Sequence, residues 1–117
     1  MRRKPEFYLW KIQEMCGFLL QCAESRTEAE YLSDLALRLA VEPAFILIGE
    51  AMAQLRIHFP DVSAGLEAHI QAIGFRNVLV HRYWDVDDQY VWAVVTGNVQ
   101  PLKLAVDQLL AQHPPTA

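Results

Sequence analysis

The run Gly74-Phe75-Arg76-Asn77-Val78-Leu79-Val80-His81-Arg82-Tyr83-Trp84 sets a guanidinium, an amide, an imidazole and a phenol among apolar neighbours. A guanidinium offers a planar fork of N–H donors to a phosphate or carboxylate, and an imidazole takes up and releases protons near neutral pH. Polar groups placed in an apolar segment need partners. Arg76 and His81 therefore either pair with carboxylates such as Glu50 inside the fold or meet a ligand. So many polar groups in so short a span favour a site.

The spacing constrains how that site is built. At roughly 100° per helical residue, Arg76 and Tyr83 share one face, Asn77 and His81 share another, and Arg76 and His81 stand roughly 140° apart. One helix converges them poorly. Pairing this helix with its own copy about a two-fold axis would gather both arginines and both histidines around one cleft. It would also account for Ile70, Ile73, Phe75, Val78, Leu79 and Val80 covering nearly every direction of the segment. The expectation is a homodimer.

Other candidate chemistry is sparse. His58, His69 and His113 are scattered without HxxxH or HxxE spacing, so they read as surface residues and no metal site is expected. Asp85, Asp87 and Asp88 could hold Mg²⁺, but their place before an apolar helical run reads as helix capping. Glu50 stands in an apolar helix as a partner for Arg76 or Arg56 and a support for the site. Trp10, Trp84 and Trp92 read as core or interface residues. Cys16 and Cys22 lie about 9 Å apart along a helix and on different faces, so they cannot pair with each other. Two reduced thiols in a reducing cytosol is the reading, and no cofactor is called for.

A chain of this length that is 53% hydrophobic, with 5 Gly and 6 Pro, can fill one core and favours helices over short strands. One domain over 1–117, ordered over about 5–112, is expected. A helix begins near Pro5 with the stripe Tyr8, Ile12, Met15, Leu19 and Cys22. Thr27 and Glu30 have the form of a capping box, and the helix they start should kink or split at Pro43, in two pieces meeting near Glu42. Pro60 and Asp61 end the second piece. Residues 65–83 read as the next helix, and the aspartates cap another that Gly97 and Asn98 terminate. Pro101 opens the last, with Leu102, Val106 and Leu109 as its stripe and a frayed tail from His113. The architecture predicted is an all-α antiparallel four-helix bundle with one or two short extra helices.

A net charge of −4 excludes a protein that coats nucleic acid by charge alone. The basic start Arg2-Arg3-Lys4 is not followed by a leader's apolar stretch, because Glu6, Lys11 and Glu14 interrupt it. No membrane segment is expected, and the reading is cytoplasmic.

Arg76-Asn77-Val78-Leu79-Val80-His81 followed by Tyr83 resembles the RNxxxHxY signature of the HepT-like family of HEPN-domain ribonucleases. Ile48-Gly49-Glu50-Ala51 looks like that family's central-helix element, and Val91-Trp92 with Pro101-Leu102 resembles its last-helix pattern. Arg82 departs from the small or acidic residue more common there, and Trp84 stands where Phe is common. The resemblance covers about residues 5–112. It implies the HEPN fold and metal-independent cleavage of RNA by attack of a ribose 2′-hydroxyl on the adjacent phosphate. In that scheme His81 moves the proton, Arg76 holds the phosphate, and Asn77 orients His81 or the substrate. The family further implies a partner nucleotidyltransferase antitoxin that silences a toxin by attaching AMP to Tyr83; Arg82 is a candidate contact for that phosphate, and Glu50 a candidate support behind the site. The same fold also serves as a non-catalytic module that binds and regulates such a partner.

Overall fold

A computed structural model describes residues 3–112, and those residues are all-α. Helix α1 spans Pro5–Ala23 with proline in its first turn, where a missing N–H costs nothing. Its buried seam is Leu9, Ile12, Cys16 and Leu19. Tyr8, Met15 and Cys22 instead flank the core, so the helix is turned slightly from the stripe expected. Cys16 and Cys22 are both free thiols, and burial pushes the Cys16 thiol up to about 12.

Helix α2, Glu28–Ser33, opens on the expected capping box: Glu30 N–H donates to Thr27 Oγ1 at 3.2 Å and Thr27 N–H donates to Glu30 Oε1 at 2.9 Å. The break that follows falls at Asp34, whose carboxylate accepts from Leu37 N–H at 3.1 Å and caps α3.

Helix α3, Leu35–His58, runs through Pro43 as one helix, contrary to the split expected near Glu42. Pro43 and Leu39, the residue whose carbonyl loses its N–H donor, are both exposed, so water can serve that carbonyl and the ring bulges outward. Leu37, Val41, Ala44, Ile48, Ala51, Met52 and Leu55 form the opposite, buried face.

Helix α4, Pro60–Ala64, is a short piece. Leu66 is then fully buried, and His69 N–H donates to the Leu66 carbonyl at 3.0 Å, so α5 starts at His69 rather than at 65. It spans His69–His81 and ends at Arg82, whose φ of −130° and ψ of 37° leave the helical region. A 3-10 turn, Tyr83–Asp85, joins it to α6, Asp88–Gly97. Asp87 Oδ1 caps α6 by accepting from Gln89 N–H at 3.0 Å and Tyr90 N–H at 3.3 Å. Helix α7, Val99–Gln112, begins two residues before Pro101, which falls in its first turn.

Helix α3 is the hub, packed chiefly on α5 and α1, while α1 also packs on α7. Three short helical pieces, rather than one or two, accompany the longer helices. Among the described residues no helix is long and apolar enough to cross a membrane. The expectation of a frayed tail from His113, and the surface reading of that residue, lie outside the described residues.

Candidate functional site

Helix α5 is laid on α3 at Gly49. A Cβ there would overlap the Arg76 Cβ, lie 2.8 Å from its Cγ and stand 2.9 Å from the Ala72 carbonyl oxygen. Only a residue without a side chain lets the two backbones approach so closely. Sequence reasoning quoted Gly49 within a family element but did not see its physical role, whose signal was a small residue in the middle of a strongly apolar helix.

The approach lays Arg76 along α3. Its NH1 forms an ion pair with Glu50 Oε1 at 3.2 Å, so Glu50 partners Arg76 rather than Arg56. Arg76 is 21% exposed at the side chain and Glu50 50%, which leaves the pair screened by water and valuable for orientation more than for stability. Arg76 Nε is buried with no hydrogen-bond partner among the described residues. A guanidinium carries five N–H donors, so one contact to Glu50 leaves donors for an anion arriving from solvent.

Asn77 and His81 stand on the outer face of the same helix, both exposed. They share that face with Ile70 and Gly74 in steps of four, three and four residues. Within one chain Arg76 therefore lies against α3 while His81 is exposed, five residues on and roughly 140° round the helix. Although apolar residues cover nearly every direction of α5, Leu79 is its one buried residue, and Ile70 is 61%, Val78 43% and Val80 38% exposed. Neighbouring α3 adds Leu39, Leu47 and Ile57, all more than half exposed, on its outward side.

Tyr83 is not on α5. The helix ends before it, so the shared face with Arg76 expected from helical spacing does not form, and Tyr83 sits in the 3-10 turn beside Trp84 with ring centroids 4.5 Å apart. Arg82, the capping residue between helix and turn, is exposed. The three tryptophans separate: Trp92 is core and stacks on Tyr31, Trp10 is half-exposed, and Trp84 is 85% exposed and no core residue.

Asp87 is the cap, Asp88 pairs with Arg38 at 3.6 Å, and Asp85 lies in the turn. His58 is exposed, and His69 is half-buried with Nδ1 2.8 Å from the Leu66 carbonyl. No group of three or more His, Cys, Asp or Glu among the described residues could hold a metal ion. An apolar cleft of about 490 Å³ opens on the other side of α5, between Phe45, Phe75, Tyr90, Val94 and Leu102. None of Arg76, Asn77, His81 or Tyr83 lines it, so it is separate from the polar cluster.

Sequence comparison bears on this geometry. A family model described as "Ribonuclease HepT-like" matches residues 12–109. The chain is 26% identical over 110 residues to "Putative RNase MJ1380" of Methanocaldococcus jannaschii, covering 91% of this chain and 96% of that protein. It is 24% identical over 111 residues to "Putative RNase TTE0752" of Caldanaerobacter subterraneus subsp. tengcongensis, covering 95% and 98%. No solved structure matches. The family match spans nearly all of the all-α fold, from α1 to α7 and through the Arg76–His81 helix; the chain belongs to the HepT-like ribonuclease family.

Proposed function

We propose that this chain is a metal-independent endoribonuclease, the toxin of a toxin–antitoxin pair, acting as a homodimer. The observation that carries the reading is α5: Arg76, anchored by Glu50, and exposed Asn77 and His81 lie on one helix whose outer face is open and apolar. His81 takes the proton from a ribose 2′-hydroxyl, which attacks the neighbouring phosphorus. The 5′-oxygen leaves and is protonated, giving a 2′,3′-cyclic phosphate and a 5′-hydroxyl. Arg76 holds the phosphate and offsets the charge gathered on it, and Asn77 orients the imidazole or the strand. Because the nucleophile is a 2′-hydroxyl, the substrate is RNA, preferentially unpaired.

Arg76 and His81 diverge within one chain, so a second copy packed on the α3–α5 face completes the site by bringing its own pair alongside. The exposed Leu39, Leu47, Ile57, Ile70 and Val78 would then be covered. A cognate nucleotidyltransferase antitoxin silences the enzyme by transferring AMP from ATP to the Tyr83 hydroxyl.

The test is cleavage of unpaired RNA by the purified chain in EDTA. His81→Ala and Arg76→Ala are each expected to lower the rate by about 10²- to 10⁴-fold while helicity stays at the wild-type level. Retained cleavage in His81→Ala, or its loss in EDTA, overturns the mechanism. The ion pair of Arg76 with Glu50 favours a second reading, in which the cluster is structural and the chain binds and regulates its partner without catalysis. Wild-type protein that binds the partner and never cuts RNA would establish it.

A further inference from the structure

Trp84 is 85% exposed, the most open of the large apolar side chains among the described residues. The turn that carries it is clamped at both ends. On one side Arg82 N–H donates to the Val78 carbonyl at 2.9 Å and Asp85 N–H donates to the Arg82 carbonyl at 2.8 Å. On the other, the Asp87 cap fixes the start of α6. Against Trp84 lies the Tyr83 ring, tilted by 43° and itself 57% exposed. The result is a pre-ordered aromatic surface whose outer face has no covering side chain among the described residues.

Its surroundings indicate what it would take. From Arg76 to Trp84 the chain holds two arginines and His81 and no carboxylate, in a protein whose net charge is −4. Asp85, Asp87 and Asp88 follow: Asp88 pairs with Arg38, while Asp87, the cap of α6, and Asp85 keep their charges exposed beside the turn. Trp84 lies three positions beyond His81, so their Cα atoms lie within about 11 Å, close enough for a strand held at His81 to reach the indole with a neighbouring nucleotide.

We infer that Trp84 is a stacking platform for one unpaired base of the RNA strand cut at Arg76 and His81, and that this platform, not base-edge recognition, selects single-stranded substrate. The inference rests on the ribonuclease reading above. Every base has a π-face, so a flat ring held outward beside cationic groups favours unpaired strands without demanding a sequence. Arg82, exposed at the foot of the turn, holds the adjoining phosphate.

The experiment titrates full-length His81→Ala protein with a short unpaired oligoadenylate RNA, following tryptophan fluorescence and, with a labelled strand, anisotropy. Binding should quench the emission, and the quenching should vanish in His81→Ala/Trp84→Phe, which isolates Trp84 from Trp10 and Trp92. His81→Ala/Trp84→Ala should bind roughly 5- to 150-fold more weakly, whereas an abasic ribose-phosphate strand should bind both proteins alike. Equal affinity and unchanged quenching would overturn the platform while leaving the ribonuclease reading intact. Wild-type protein that neither binds nor cuts RNA would overturn both. A Trp84→Ala protein that sediments at half the mass of the wild type would overturn it differently, by assigning Trp84 to a protein interface.

Discussion

Arg76 shows how one side chain takes its role from two neighbours. Gly49 lets it lie against α3, and Glu50 holds its guanidinium there through the 3.2 Å ion pair. Tyr83 is different, because the end of α5 releases it from the helix and leaves its ring 57% exposed in a fixed turn. An exposed phenol on a short, clamped segment is an accessible acceptor for a transferred nucleotide, and the added adenylate would bring a bulky anion beside Arg82. Co-expression with the cognate nucleotidyltransferase, with ATP and Mg²⁺ present, is expected to raise the chain mass by one or more AMP units at Tyr83. Tyr83→Phe should take up none and stay active. An unmodified chain that its partner nevertheless neutralises would show that inhibition acts by direct binding. The Arg76–His81 spacing on one helix was legible from sequence because residue types persist whatever the fold. The position of Tyr83 was not, since helical spacing was carried past a residue, Arg82, whose backbone leaves the helix.

At the scale of elements, two contacts hold the site-bearing part together. The crossing of α3 and α5 depends on Gly49, and Gly49→Ala should destabilise the fold by about 1–3 kcal/mol through overpacking, against a helix-propensity gain of roughly 1 kcal/mol. Gly17→Ala in α1 meets nothing within 4 Å and should show that propensity gain alone. Urea denaturation of both variants measures the difference, and equal behaviour would mean that the crossing is not tight. The second contact ties α2, α3 and α6: Arg38 donates to the Leu32 carbonyl at 2.6 Å and pairs with Asp88, beside buried Tyr31. Burial pushes the nearby Glu42 carboxyl above the usual carboxylate range, Asp88 adds to this, and Arg38 opposes it. A carboxyl raised in the fold disfavours its own ionised form, so its destabilising effect is absent below the unfolded value, grows as pH climbs through the raised one and is constant above it. Glu42→Gln should therefore melt at a higher temperature than wild type at pH 7, with the gap closing as pH falls toward about 4 and gone below it. A pH-independent gap would assign the effect to packing instead. The Thr27–Glu30 capping box, the aspartate cap of α6 and the Pro5 start were readable in advance because they are local. The passage of α3 through Pro43 was not, because it depends on which side of the helix faces water.

At the scale of the whole molecule, Arg76 is packed on α3 while His81 is exposed, and both α3 and α5 keep several apolar residues open. If two copies complete each other, an Arg76→Ala subunit and a His81→Ala subunit, each inactive alone, should recover activity when refolded together. Random mixing makes half the dimers mixed, each with one intact Arg–His pair, so about a quarter of wild-type activity is expected. Activity no higher than that of either parent would place both residues of each site in one chain. Composition, the alternation of apolar residues and the RNxxxHxY run determined the all-α class, most helix starts and the family by themselves, because each is written in neighbours a few positions apart. Only the tertiary structure decided which face of α5 is open, that Gly49 sets Arg76 against Glu50, and that Trp84 stands in solvent. Those outcomes depend on the close approach of segments far apart in sequence and on what is left for water once the core has closed, and no local spacing encodes either.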